Sequence, residues 1–382
     1  MKRVSILASL GLSAVMTASL LTGCGASDGK IDGTKIAATV NDEEITLGEL
    51  SFVTRYQQAV SYSYYSSLFG SSSLFDTVAD EETGETYGEQ VVDGILEEYE
   101  ELILLKQHAS DYSVELTDEE NTEIEEAAKS FIESNDQETL DKIGASEEDV
   151  VNYLSLCKIK EKMMEAMVAD VDTEVTEDES NQTAVRIIRL EIEDSSDDEA
   201  MTTLKSDMQS IYDALAAEED LVNADMLTIA QGINEDATTV INSYTTADPT
   251  DTSLDANAVD AVKDKEAGEL SDGYFESADG SYLMVAVNLG HDDERTESKV
   301  TSIISDRKQS AYDDLLSDWK ESAEFIQNED VINLVTVTDS VAYTQASTEE
   351  STESSDEPES TDDSASTEVS VSSESEEASE ES

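Results

Sequence analysis

The chain has 382 residues and a formal net charge of −70, with 91 acidic against 21 basic side chains. Phosphate binding needs clustered lysine and arginine, so this balance excludes nucleic acid as a partner and opposes adsorption of the protein body to anionic lipid. Hydrophobic residues at 38% suffice for a packed core, aromatics at 5% argue against broad aromatic surfaces, and the length allows two or three domains.

Met1-Lys2-Arg3 is a short basic start, the run to Leu21 is apolar and rich in small residues, and Leu21-Thr22-Gly23-Cys24 closes it. Residues 1–23 therefore read as a secretory signal, not a spanning helix. Leu21 to Cys24 resembles the bacterial lipoprotein box, in which the cysteine thiol becomes a thioether to diacylglycerol. The resemblance implies lipidation at Cys24 with palmitate-type chains, and an address on the extracytoplasmic face of a bacterial cell membrane. Two acyl chains, at about 0.8 kcal/mol per buried methylene, anchor firmly. An ordinary cleaved signal with a chance cysteine is the alternative. Cys157 then has no internal partner, which excludes a disulfide framework. It follows Tyr153-Leu154-Ser155-Leu156 on an apolar helical pattern, where a buried, inert thiol is expected.

Residues 24–35 are small and polar and read as a tether. Ile36 to Val40, Asn41-Asp42 and Glu43 to Ile45 predict a strand, a tight turn and a return. Thr46-Leu47-Gly48-Glu49 has capping-box spacing, and Leu50, Phe52 and Val53 begin a helix. Tyr62, Tyr64, Tyr65, Phe69 and Phe75 then crowd together among serines. They read first as a helix end packed on the core, and second as a client-binding patch. Helices are predicted over 88–110, from a cap at Thr117 to about 135, and from a cap at Ser146 to about 168. Met163, Met164 and Met167 fit core packing better than an adaptable surface. His108 reads as a surface residue at a helix end, since no second histidine or cysteine stands at metal spacing from it. Neither a metal nor a cofactor is expected. The acidic stretch 170–182 reads as a linker.

The stretch 183–289 carries, in order, a strand (184–192), a helix (197–217), a short helix (220–231), a strand (240–244), a helix (254–263), and strands around 270–274 and 281–289. Ala278-Asp279-Gly280 reads as the turn between the last two. A long helix follows over 296–325 with a stripe of Val300, Ile303, Ile304, Tyr312, Leu315, Leu316 and Trp319. Residues 331–337 read as a strand that pairs with Ile36 to Val40. Residues 341–382 are mostly Ser, Thr, Glu and Asp, with no Lys or Arg and no aromatic beyond Tyr343, a composition expected to stay disordered.

Val185-Arg186-Ile187-Ile188, Asp225 to Ala230 with Asn234-Glu235-Asp236, Gly268-Glu269-Leu270-Ser271, and Gly280 to Val285 occur in the order and spacing of the parvulin-type peptidyl-prolyl isomerase domain, which this stretch resembles. Val40 to Leu50 resembles the opening of the N-terminal module of SurA- and PrsA-type foldases, with Asp42 replacing the usual glycine. The resemblance implies an α+β fold. A mostly helical SurA/PrsA-like module over 36–178 would be completed by a helix and strand over 291–340. A parvulin-like β-α3-β-α-β2 domain would be inserted over 179–290. It also implies a membrane-anchored chaperone or foldase whose partners are unfolded or newly secreted polypeptides. The family carries histidines in its first and last strands, where this chain has Arg186 and Tyr282, and those side chains supply no equivalent neutral donor–acceptor pair. The departures favour a retained fold over a retained activity. Were the domain an isomerase, the residues placed by position along its groove would be Arg186, Ile188, Met226, Tyr244, Tyr282 and Met284. A solute-binding lipoprotein needs two α/β lobes, which the helix-dominated first half speaks against. A hydrolase is not supported, since no G-x-S-x-G motif is present.

Overall fold

The computed structural model describes residues 30–69 and 74–340, together with the backbone of Leu21–Gly23 and Tyr343–Gln345, which pair antiparallel. Cys24, most of the signal and most of the acidic tail lie outside the described residues, as does the Phe69 side chain. Strand β1 (Ile36–Val40) turns into β2 (Glu43–Thr46) through Asn41, whose φ of 54° is a left-handed conformation that a short polar side chain tolerates. Helix α1 (Leu47–Phe69) starts as its capping box requires. The Thr46 N–H donates to Glu49 at 2.8 Å, and the Glu49 N–H donates to the Thr46 hydroxyl at 3.1 Å. The same chemistry opens α2 (Tyr87–His108) at Thr86 and Glu89, α3 (Asp118–Ser134) at Thr117 and Glu120, and α5 (Glu147–Met167) at Ser146 and Asp149. Between them, the short α4 (Gln137–Ile143) is capped by Asp136 and stopped by Gly144. At seven residues, α4 carries too little periodicity to be predicted from sequence. The helices enclose one core around Phe52, whose ring meets Phe131 edge-on at 4.9 Å and Tyr153 at 6.0 Å.

The caps of α1 and α5 share a residue. The Thr46 hydroxyl receives the Glu49 N–H and itself donates to Asp149 at 3.0 Å, with both carboxylates buried. Burial pushes the Glu49 carboxyl above its usual range. The Thr46 N–H opposes that shift and nearby Asp149 adds to it. A carboxyl raised in the folded state favours folding in its protonated form. Its contribution is present below the ordinary glutamate value and is lost as pH rises through the raised one. Glu49→Gln keeps an acceptor for Thr46 and removes the charge. Its thermal midpoint is expected to be at or above the parent's at pH 7, with the difference shrinking towards pH 4. Parallel pH profiles for the two proteins would contradict this.

The linker expected over 170–182 contains a short helix, α6 (Glu177–Ser180), and already enters β3 (Gln182–Glu191). After β3 come α7 (Asp198–Ala216) and α8 (Met226–Gln231), then β4 (Thr238–Thr245), α9 (Ala256–Val262), β5 (Phe275–Glu276) and β6 (Tyr282–His291). The strands form one antiparallel sheet in the order β4-β3-β6-β5. Two helices, rather than the three of the expected β-α3-β-α-β2, separate β3 from β4. Residues 221–223, apolar only at Leu221 and Val222, make a turn. The strand expected at 270–274 lies instead at 275–276. Gly273 takes a φ of 149° and breaks the run, leaving Leu270 a single bridge to Val287. The turn at Gly280 (φ 73°) closes the β5–β6 hairpin as read from the sequence.

Helix α10 (Asp293–Ser322) is capped by Asp292 and runs back along the module. Its first half ties to the segment after β4 through Lys299 and Asp251 at 2.7 Å. Its second half packs Tyr312 and Leu316 against Leu105, Met163 and Met167. The Tyr312 hydroxyl donates to Glu101 at 2.8 Å, and Trp319 stacks on His108 at 4.1 Å. Beyond α10, β7 (Phe325–Gln327) pairs with β1, Val40 opposite Phe325. That place was expected for residues 331–337, which instead form the end of α11 (Glu329–Ile332) and turns. Ile332 and Val335 are buried and Leu334 is exposed, so a short apolar run that periodicity alone cannot assign settles as a helix end followed by turns.

Candidate polypeptide-binding surfaces

The aromatic tract joins the end of α1 to the start of α2. Tyr62 stacks on Phe75 at 6.4 Å, Phe75 stacks on Tyr87 at 6.0 Å, and Tyr65 meets Tyr87 edge-on at 6.4 Å. Phe75 is fully buried, and the backbone N–H groups of Leu74, Phe75 and Asp76 all donate to the Asp339 carboxylate. Of the five residues read as a client-binding patch, Phe75 is therefore core and Tyr62 is half-buried. Tyr64 is 60% exposed and Tyr65 lies beside it at 5.6 Å. Core packing, the first of the two readings, holds for Phe75, because the Asp339 carboxylate folds the segment after the loop back onto the module.

The six residues placed along an isomerase groove do not share one. Ile188 and Met226 are buried on the sheet face covered by α7 and α8, while Tyr244 and Met284 are buried on the opposite face under α9. Arg186 is on the α7–α8 side, where its guanidinium donates to the Ala224 carbonyl at 2.9 Å. Tyr282 is on the α9 side, with the Arg189 guanidinium 4.3 Å from its ring centre. The reason is register. Arg186 stands opposite Val287 and Ile188 opposite Val285, so even-numbered residues of β3 share a face with odd-numbered residues of β6. Arg186 and Tyr282, read as occupying the two histidine positions, are on opposite faces.

What the sequence reading missed lies at the rims and edges. Around Tyr282, the α9 face is bordered by half-buried Val240, Leu254 and Phe275. The three-stranded and four-stranded sheets each have an edge strand that presents an exposed isoleucine. Ile241 on β4 is 43% exposed, and Ile326 on β7 is 54% exposed. An edge strand offers backbone groups that an extended chain can pair with whatever its sequence. On β4 they are open over the first half only, since further along Thr252 donates to the Ser243 carbonyl and the Thr245 N–H donates to the Asp251 carbonyl. The alternating pattern of β4 shows a strand, but only the strand order shows that it is outermost.

Cys157, on α5, is half-buried against the helical core. Burial pushes its thiol up to about 11, with the Tyr153 hydroxyl opposing. At pH 8 a shift from the ordinary value of 9.0 leaves on the order of a hundredfold less thiolate, the nucleophilic form. Alkylation of the folded chain by iodoacetamide is expected to be slower than in urea by about that factor, and equal rates would contradict the burial. Among the described residues, no group of His, Cys, Asp and Glu side chains is set to hold a metal ion, and no helix is long and apolar enough to cross a membrane.

No family model matches the chain, and no curated protein matches it. Among solved structures, it is similar to the foldase protein PrsA from Lactococcus lactis, at 13% identity over 78% of this chain and 97% of that one, with a TM-score of 0.31. It is also similar to foldase protein PrsA from Streptococcus pneumoniae, at 16% identity over 60% of this chain and 84% of that one, with a TM-score of 0.27. A third likeness is to a structure described under the SurA-like chaperones PEB4 and Cj1289 of Campylobacter jejuni. There the identity is 10%, over 77% of this chain and 99% of that one, with a TM-score of 0.24.

Proposed function

We propose that the chain is a membrane-anchored extracytoplasmic chaperone that holds unfolded, newly secreted polypeptides. The anchor is the diacylglyceryl group on Cys24, and the binding body is the helical module with its inserted sheet domain. The observation that carries the reading is the pair of sheet edges, β7 and the open first half of β4, each with an exposed isoleucine. Backbone pairing at such an edge is indifferent to sequence, as binding of many unfolded clients requires. The half-buried rim of Val240, Leu254, Phe275 and Tyr282 and the exposed Tyr64 add apolar contact that a folded, polar surface would not use. The net charge of −70 keeps the chain soluble and separated from its own copies.

Prolyl isomerisation is left as the lesser reading, because the six residues placed along its groove lie on two faces of one sheet. The proposal is tested by fluorescence anisotropy with a labelled polypeptide held unfolded by reduction and alkylation of its cysteines. Saturable binding of that polypeptide, but not of its folded disulfide form, is expected. Equal binding of both forms, or of neither, would overturn the reading.

A further inference from the structure

We propose that the groove between the first half of α2 and residues 329–338 takes an extended polypeptide segment in which apolar residues are flanked by lysine or arginine. This rests on the chaperone reading and names the class of client segment it prefers. The groove has a volume of about 580 Å³, within the roughly 300–1,000 Å³ range of pockets that enclose small ligands. That is room for a few residues of extended chain, not for a folded surface. Asp76, Glu85, Glu89, Asp93 and Glu329 line it, and no lysine or arginine does. None of these five carboxylates takes part in a salt bridge among the described residues. Glu89 also serves the cap of α2, and Glu85 accepts from Gln90.

The buried cation nearby, Arg55, is turned to the carbonyl of Thr336 at 2.7 Å and to Gln58 at 3.1 Å. The Asp93 carboxyl is raised first by burial, then by neighbouring Glu85, Glu329 and Glu97. Val92, Ile332, Val335 and Val337 form the apolar part of the lining as a floor, each more than nine-tenths buried in the module's core. The chain's own continuation is unsuited to the site. Residues 341–382 follow directly on this wall, yet they hold no lysine or arginine and many carboxylates. A second copy, at −70, is repelled in the same way. Charge complementarity leaves a basic, apolar-flanked segment of another chain as the occupant.

The test measures anisotropy of labelled 12-residue peptides alternating Val with Lys, Val with Ser, or Val with Glu, on the full chain. The Lys peptide is expected to bind at least tenfold tighter than the Ser peptide at low salt, with the advantage lost near 0.5 M salt, where screening is strong. The double variant Asp93→Asn, Glu329→Gln is expected to remove the advantage, with its thermal midpoint at or above the parent's. Glu123→Gln with Glu126→Gln, the same charge change on the exposed face of α3, is expected to leave the advantage intact. Equal binding of the Lys and Ser peptides would overturn the groove proposal while leaving the chaperone reading standing. Equal loss from both double variants would overturn it too, as attraction to the overall charge. No binding of any of the three peptides, together with no binding of unfolded polypeptide, would sink the chaperone reading itself.

Discussion

Replacing Phe52 by alanine is expected to destabilise the helical module by about 3–5 kcal/mol, the range for removing a buried aromatic ring. The side chain is fully buried. Its ring sits where three helices meet: Phe131 comes from α3 at 4.9 Å and Tyr153 from α5 at 6.0 Å, both edge-on. Edge-on aromatic pairs add roughly 0.5–1.5 kcal/mol beyond the area they bury, so the loss falls towards the upper part of that range. A domain's total stability is only about 5–15 kcal/mol, so much of it hangs on this ring. Urea denaturation followed through Trp319, the single tryptophan, reports directly on this module, because Trp319 stacks on His108 of α2. Phe52→Leu, which refills most of the volume, is expected to recover more than half of the loss. A loss below about 1 kcal/mol for Phe52→Ala would mean that the three helices do not converge there.

Two glycines of α2 are expected to respond to the same substitution with opposite signs. Alanine at Gly94 meets no atom within 4 Å, so only helix propensity acts, and a gain of about 0.5–1 kcal/mol is expected. Alanine at Gly88 would bring the same propensity gain, yet its Cβ would lie 2.0 Å from the Val337 carbonyl oxygen and 3.1 Å from that of Phe75. Both obstacles are backbone. The Gly88 N–H already donates to the Phe75 carbonyl at 2.9 Å, so neither side can retreat without breaking contact. A net loss of about 1–3 kcal/mol or more is expected from the overpacking. The pair is read from urea midpoints of Gly88→Ala and Gly94→Ala. Stabilisation by both would show that residues 335–339 do not close over the start of α2.

What the sequence made legible is the chemistry that acts within four residues. Thr46 with Glu49, Thr117 with Glu120, and Ser146 with Asp149 open their helices as their spacing implies. Thr86 with Glu89 follows the same rule and went unread. The order of strands and helices over residues 182–291 was legible for the same reason, since each element has its own period. Illegible were the properties that need register or closure. Arg186 and Tyr282 look equivalent along the chain, and only the pairing of Arg186 with Val287 sends them to opposite faces. Residues 331–337 are apolar enough for a strand, yet β7 already occupies the free edge of β1. The acidic groove joins Glu85 to Glu329 from opposite ends of the chain, a juxtaposition no local pattern carries.

The central claim, that this chain holds unfolded polypeptides, is tested most directly by light scattering from a client diluted out of denaturant with and without the full chain. The account predicts that scattering falls in proportion to added chain, approaching zero near equimolar amounts, and that capping the edges with Ile241→Lys and Ile326→Lys restores much of it. Undiminished scattering at several-fold excess of the chain would contradict the account.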